Sequence, residues 1–222
     1  MPNIKAKEPF QFYTRLSIPE LTGLKAYNLE QLLEHLKEVP GSCIFHHTHH
    51  FLQQHLYLSP EPPNDFAYWV SNNLGDDRLA EALASIDVVR LESIRAVREK
   101  IAATIENYLK INLQARQRFA SEGEAFHFVK SVSFVFPTAH IAGDLAEFAA
   151  KLKSITIDSI YFHMFESRLR LEQGDNDFSR WLANSIGDNS VADKISSLDP
   201  YTCTGEDLRN NILKPIERRL ES

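Results

Sequence analysis

The residues best suited to chemistry are five histidines in the first quarter of the chain. They are His46, His47, His49, His50 and His55. Residues 42–57 contain no Gly or Pro, which favours a helix, and on a helix His46 and His50 are neighbours on one face. Two imidazoles at this spacing can share a metal ion. The candidate catalytic residues are therefore His46, His49 and His50. No cofactor is predicted, and a divalent metal ion belongs only to the alternative in which these histidines form a metal site.

This histidine pair supplies only part of a metal site. The zincin motif places Glu directly after the first His of the pair, whereas His47 occupies that position. A third ligand must come from elsewhere in the chain. The candidate metal ligands are thus His46, His50 and Glu166, with Asp65 or Glu61 as alternatives for the third.

Other reactive residues have simpler structural explanations. Asp65 and Asp177 could act as general bases, but both lie where a helix is expected to begin, and a carboxylate there stabilises the helix end. Cys203 as a nucleophile needs an activating base, and none is visible near it in sequence. There is no GxGxxG, P-loop, GxSxG or CxxC pattern, so nucleotide-binding, serine-hydrolase and thioredoxin classes have no support.

The second half of the chain resembles the first. With an offset of 116 residues and then 112, many positions are identical, and these pairs include four that are expected to be structural: His47/His163, Asp65/Asp177, Trp69/Trp181 and Gly75/Gly187. A buried histidine, a capping aspartate, a core tryptophan and a helix-ending glycine explain them. By contrast, His46, His49 and His50 are replaced by Phe162, Phe165 and Glu166. A functional site on this histidine face would therefore exist in one half only.

The elements that position these residues are mostly helices. Alternating apolar residues around Phe10–Phe12 and Phe126–Phe136 predict one strand in each half, and the two strands could pair. The later segments have apolar residues at helical spacing. The predicted fold class is mainly α (α with a minor β component). It is a tandem duplication of a helical repeat of about 100 residues. Each repeat has one short N-terminal strand or extended arm, and the halves pack about a pseudo-twofold.

The predicted division of the chain is a first repeat over residues 8–113, a linker over 114–123 and a second repeat over 124–222. Short connectors and shared aromatic residues favour one compact unit over two independent domains. A homodimer is compatible with this arrangement. Pro215 is expected to kink or break the last helix.

Composition narrows the class of protein. The formal net charge of −6 argues against a nucleic-acid binder, which usually has a basic excess. No apolar run is long enough to span a membrane, and the N-terminus has no apolar segment typical of a signal peptide. Two cysteines, Cys43 and Cys203, without CxxC spacing fit a reducing compartment. The expected location is the cytoplasm, with no nucleic-acid or membrane partner.

The chain resembles an uncharacterised prokaryotic domain-of-unknown-function family. The resemblance spans nearly the whole chain and is carried by residues 12–15, 44–55, 62–69 and 199–202, which include His46-His47-Thr48-His49-His50 and Asn64-Asp65-Phe66-Ala67-Tyr68-Trp69. Cys203 departs from the aromatic residue expected after the last of these segments. The family implies no activity. We therefore expect a non-catalytic binding or regulatory module with a protein or small-molecule partner, and a metal-dependent hydrolase using His46, His49 and His50 is the alternative.

Overall fold

The computed structural model describes residues 4–50, 64–88, 90–166, 175–198 and 203–221, and of His50 it describes the backbone alone. The predicted continuation of a helix to residue 57, together with His55 and Glu61, lies outside these residues. In chain order the elements are β1 (Lys5–Ala26), α1 (Leu29–Glu38), α2 (Gly41–Phe45), a π-helix (His46–His50), α3 (Asp65–Leu74), α4 (Asp77–Ala84), α5 (Ile94–Ile111), a 3-10 helix (Leu113–Gln117), β2 (Phe126–Asp144), α6 (Leu145–Leu152), α7 (Ile157–Tyr161), a π-helix (Phe162–Glu166), α8 (Asp177–Trp181), a π-helix (Leu182–Ile186), α9 (Asn189–Ser196) and α10 (Gly205–Glu221).

The two strands pair in one antiparallel, two-stranded sheet. Threonine side chains show the register: Thr138 Oγ1 donates to the Phe12 carbonyl at 2.9 Å, and Thr22 Oγ1 donates to the Phe128 carbonyl at 2.7 Å. In both pairs the residue numbers add to the same total, as an unbroken antiparallel register requires. A two-stranded ribbon is marginal alone, so helices must cover it.

Short polar side chains set where the helices begin. The side chains of Asn64 and Asn176 accept hydrogen bonds from the backbone three residues later, at 2.9 Å in each case, which satisfies a donor that the helix cannot. Gly75 and Gly187 have φ of 62° and 81°, the left-handed conformation that ends a helix at little cost for glycine. The prediction that Pro215 breaks the last helix is wrong, since α10 runs through it from Gly205 to Glu221.

The chain divides into two compact units. Among the described residues, unit 1 holds 4–16 and everything from Ser133 onward, and unit 2 holds the residues from Ser17 to Val132. Each unit therefore contains a segment of β1, a segment of β2 and one set of helices. The helices of unit 1 are α6 to α10, and those of unit 2 are α1 to α5.

An aromatic cluster forms the core of each unit. In unit 1, Phe10 and Phe12 from β1 pack against Phe148 and Phe178, which come from helices that follow β2. In unit 2, Phe126 and Phe128 from β2 contact the ring of His47, which comes from the helices that follow β1. Thus these phenylalanines, which lie near the start of each strand, are buried by the helices that follow the other strand.

This arrangement overturns the predicted fold class. The strands are 22 and 19 residues long instead of short arms, and they form one ribbon. The predicted tandem helical repeat, with halves packed about a pseudo-twofold, is wrong because the aromatic core of each set of helices includes phenylalanines from the strand of the other half. The apolar alternation correctly predicted the two strands. It did not predict which helices cover each strand.

Two further features bear on function. No helix within the described ranges combines the length and apolar character that crossing a membrane requires. Neither cysteine forms a disulfide bond, and burial raises the pKa of the Cys43 thiol to about 12 while Arg98 acts in the opposite direction. Cys43 is therefore protonated at neutral pH and unsuited to act as a nucleophile.

Candidate functional site

Unit 2 contains a histidine–aspartate pair, in which the histidine is buried and the aspartate is partly exposed. His47 Nδ1 is 2.8 Å from Asp65 Oδ2, and the backbone N–H of Val129 donates to His47 Nε2 at 2.9 Å. The Asn64 cap and the first turn of α3 place Asp65 against the ring. The imidazole thus joins a helix start to strand β2.

Unit 1 contains the same set of contacts. His163 Nδ1 is 2.8 Å from Asp177 Oδ2, and the backbone N–H of Tyr13 donates to His163 Nε2 at 2.8 Å. Arg180 adds a second bond to this carboxylate through Asp177 Oδ1. Here the imidazole joins the start of α8 to strand β1.

These contacts assign the tautomer of both rings. Because Nε2 accepts a backbone N–H, Nδ1 must carry the proton and donate it to the aspartate. A neutral imidazole in this tautomer has no free lone pair for a substrate proton. His47 and His163 are therefore positioned to hold strands against helices, and general-base chemistry is not available to them in this state.

Burial lowers the pKa of His163 below its ordinary value of 6.5, and Asp177 opposes that shift only in part. The folded protein therefore keeps His163 neutral at a pH where the unfolded chain takes up a proton. The free energy of unfolding is expected to fall as pH drops below about 6.5, by up to about 1.4 kcal/mol per pH unit from this group, until the folded ring is protonated too. Urea unfolding between pH 7.5 and 5.5 measures the slope.

His163→Gln is the matched control for this pH dependence. A glutamine amide offers one donor for Asp177 and one acceptor for the Tyr13 N–H, but it does not titrate. We expect a smaller loss of stability between pH 7.5 and 5.5 in His163→Gln than in the wild type. Equal pH slopes in the two proteins would contradict the assignment of a neutral, buried ring.

Of the candidate face of His46, His49 and His50, the structure shows that His49 does not lie on an open surface. His49 is buried, stacks on Phe45 with ring centroids 5.3 Å apart, and has Nδ1 2.7 Å from Thr48 Oγ1. His46 lies instead beside His47, with centroids 5.1 Å apart. The segment His46–His50 is a π-helix, and its wider turn changes which residues share a face. The prediction that His46 and His50 are neighbours assumed the spacing of an α-helix, so this spacing gives it less support. The side chain of His50 is not described.

Glu166, the third candidate metal ligand, has a different partner. It lies in unit 1 and forms a 2.7 Å ion pair with Arg15, and both side chains are buried. The Arg15 guanidinium also lies 5.3 Å from the centre of the Tyr161 ring and 3.5 Å from Ser133 Oγ. A carboxylate already paired with arginine is a poor metal ligand.

A different group has the spacing of a metal site. Ligand atoms of His46, His47 and Asp65 all lie within 4.8 Å of one another. His47 does not suit the role, however, because its Nε2 accepts the Val129 N–H, and a metal at Nδ1 would require either an imidazolate or the loss of this hydrogen bond. Among the described residues, this leaves one imidazole and one carboxylate, fewer than the three protein ligands of a typical zinc site. A divalent metal at His46 stays a prediction.

Unit 1 also contains an open cleft of about 470 Å³. Aromatic rings, an aliphatic wall and a few polar groups line it: Glu8, Pro9, Phe10, Gln11, Tyr13, Val135, Phe162, His163, Asp177, Arg180, Trp181, Asn184 and Ser185. The first five come from β1 and Val135 from β2. Sequence analysis singled out His163, Asp177 and Trp181 as structural and missed the rest.

Two π-helices shape this cleft. The segment Phe162–Glu166 supplies Phe162 and His163, and the segment Leu182–Ile186 supplies Asn184 and Ser185. Single turns of π-helix occur often at functional sites, because the widened turn redirects side chains. No sequence pattern marks a π-helix, so these residues could not be found from spacing alone.

The tryptophans fix both strands near their starts. Trp181 Nε1 donates to the Glu8 carbonyl at 2.8 Å, and Trp69 Nε1 donates to the Glu124 carbonyl at 2.8 Å. Trp181 lies on the wall of the cleft, so a ligand there would contact the indole directly. Trp69 makes the same bond in unit 2 and provides an internal reference.

Comparison with known proteins agrees with the resemblance predicted from the sequence. A model described as Family of unknown function (DUF5752) matches residues 7–217, which confirms that prediction. The chain is also similar to a solved structure, OrfY from Thermoproteus tenax, with 33% identity, a TM-score of 0.85 and 98% of each chain covered. A search of curated proteins finds no match.

Proposed function

We propose that this protein, which belongs to the family of unknown function DUF5752, is a non-catalytic protein that binds a small molecule. The proposed site is the cleft of unit 1. The observation that carries this proposal is a recess of about 470 Å³ whose walls combine aromatic side chains with a few polar groups.

The size and lining of the cleft support a small ligand. Small-molecule sites commonly measure roughly 300–1,000 Å³ and are mostly apolar, with a few placed polar groups. Phe10, Phe162 and Trp181 provide apolar surface. Asn184 can donate or accept hydrogen bonds, whereas Gln11 can accept them through its side-chain oxygen, since its Nε2 already donates to the Phe12 and Thr138 carbonyls. Such a lining suits a ligand with a compact apolar part.

The histidine contacts support binding without catalysis. His163 is the titratable ring in the cleft wall, and its two nitrogens are engaged by Asp177 and the Tyr13 backbone. Asp177 in turn accepts from both His163 and Arg180. Groups held this way are suited to keep the wall rigid, which lowers the entropic cost of binding.

The alternative of a metal-dependent hydrolase has weaker support. It needs His46, His49 and His50 on a shared accessible face, but His49 is buried against Phe45. It also needs a third ligand, and Glu166 is paired with Arg15. The cleft therefore remains the better candidate site.

A blocking substitution tests the proposal. Asn184 is exposed at the cleft, so Asn184→Trp should narrow it without disturbing the core. Asn72, exposed on α3 in unit 2, gives the matched control Asn72→Trp. A fragment library screened by thermal shift should yield ligands that stabilise the wild type and Asn72→Trp but not Asn184→Trp. Ligands that stabilise all three proteins equally would contradict the assignment of the site.

A further inference from the structure

We infer that the ligand of the unit 1 cleft is an organic cation, with a quaternary or tertiary ammonium group and an apolar substituent. This inference rests on the proposed function and goes beyond it by naming the chemical class. Three properties of the lining carry it: the balance of charges, the engagement of the carboxylate oxygens, and the aromatic walls.

The charges of the lining residues favour a cation. Glu8 and Asp177 are acidic, and Arg180 is the basic residue among them. Arg180 donates directly to Asp177 Oδ1, so these two charges are paired with each other. The charge of Glu8 then remains uncompensated within the lining, and it attracts a positive ligand.

The imidazole of His163 does not change the net charge of the lining. Burial lowers the pKa of His163, so the ring carries no positive charge at neutral pH. Its Nε2 accepts from the Tyr13 backbone, so it also offers no acceptor to a ligand. The charge that faces a bound molecule is therefore set by Glu8 and by the Asp177–Arg180 pair.

Both oxygens of Asp177 already accept a hydrogen bond, so this carboxylate has fewer lone pairs left for a primary amine. Asp177 Oδ2 is taken by His163 and Oδ1 by Arg180. A primary ammonium has three N–H donors that need acceptors, whereas a quaternary ammonium has none. Glu8 attracts either kind of ammonium through its charge, so the choice of an ammonium whose hydrogens are replaced by alkyl groups depends mainly on the aromatic walls.

Aromatic walls suit the same ligand. Phe10, Tyr13, Phe162 and Trp181 all line the cleft. The Phe10 and Trp181 rings lie 5.6 Å apart at 67°, and the Tyr13 and Phe162 rings lie 6.3 Å apart at 50°. Ring faces attract cations through their quadrupole, and several rings around one recess are a known way to bind quaternary ammonium groups. The alkyl groups also bury apolar surface against them.

A pair of probes with the same shape isolates the charge. Choline and 3,3-dimethylbutan-1-ol differ in one central atom, nitrogen against carbon, and thus in charge. Titrations of the full chain, followed through the indole N–H signal of Trp181, should give a dissociation constant at least about 5-fold lower for choline. 1-Naphthoate, an apolar anion, serves as the third probe and should bind more weakly than choline.

Variants of two lining residues separate the contribution of charge to binding from that of the aromatic ring. Glu8→Gln removes the charge but keeps the carbonyl that accepts from Trp181, and it should weaken choline binding by about 3-fold without affecting the neutral alcohol. Glu20→Gln, an exposed change on the part of β1 in unit 2, should leave both constants unchanged. Tyr13→Leu should weaken choline binding by about 5-fold, and Tyr13→Phe should retain this binding because it keeps the ring face.

The outcomes distinguish the inference from the proposed function. Equal affinity for choline and its isostere, or tighter binding of 1-naphthoate at the cleft, would overturn the cation inference while leaving a small-molecule site in place. Loss of choline binding in Asn72→Trp instead of Asn184→Trp would place the site outside the cleft and overturn both. Charge-selective binding that Asn184→Trp abolishes supports both.

Discussion

Replacing Glu166 with alanine is expected to lower the free energy of unfolding of unit 1 by about 3–5 kcal/mol. The change leaves the Arg15 guanidinium buried without the carboxylate that now lies 2.7 Å from it. Ser133 at 3.5 Å and the face of Tyr161 are uncharged neighbours and cannot replace this carboxylate. Urea unfolding followed by Trp181 fluorescence, in a Trp69→Phe background, measures the effect in unit 1.

The same unit provides a control for this ion pair. Lys153 and Glu217 are also 2.7 Å apart, but their side chains are 59% and 43% exposed, so Glu217→Ala should cost at most about 1 kcal/mol. The double variant Arg15→Met with Glu166→Leu should recover most of the lost stability, since an apolar pair needs no partner charge. Similar small losses for Glu166→Ala and Glu217→Ala would contradict the buried ion pair.

Phe12→Ala is the second substitution with a large expected effect, a loss of about 3–5 kcal/mol. Phe12 is fully buried, with its ring stacked on Phe148 at 5.3 Å and close to Phe178. Truncation leaves a cavity between β1 and helices that follow β2. Native-state hydrogen exchange should therefore show lost protection in α6 to α10, although Phe12 lies next to α1 to α5 in sequence.

Phe136→Ala is the matched control on the other strand of the same unit. Its ring is 49% exposed, so removing it should change stability by about 0.5 kcal/mol or less. If Phe12→Ala lowered protection in α1 to α5 and left α6 to α10 unchanged, the composition of the two units would be wrong.

Local features of this fold could be predicted from the sequence because they depend on neighbouring residues. The alternation around Phe10 and Phe126 indicated strands, the Asn-Asp pairs indicated helix starts, and Gly75 and Gly187 indicated helix ends. The partner of each strand could not be predicted. Since the two halves have similar residues at matching positions, a strand fits either set of helices equally well by sequence, and only tertiary packing decides between them.

The residues of the candidate site could also be predicted only in part from the sequence. The hypothesis that His47 and His163 serve the fold came from their matching positions, and the structure places both rings between an aspartate and a backbone N–H. The cleft depends on two π-helices and on residues from β1, β2 and α8. Tyr13, Phe162 and Arg180 are far apart in sequence and share no motif, so their convergence had no sequence signal.

The most direct test of the central claim, that the unit 1 cleft binds a small molecule, is a titration of the two indole N–H signals. Trp181 lines the cleft, whereas Trp69 makes an equivalent bond to a strand carbonyl in unit 2. Adding choline to the full chain should shift the Trp181 signal in a saturable way and leave the Trp69 signal unchanged. A panel of cationic, neutral and anionic fragments that leaves the Trp181 signal unmoved, or moves both signals equally, would contradict the claim.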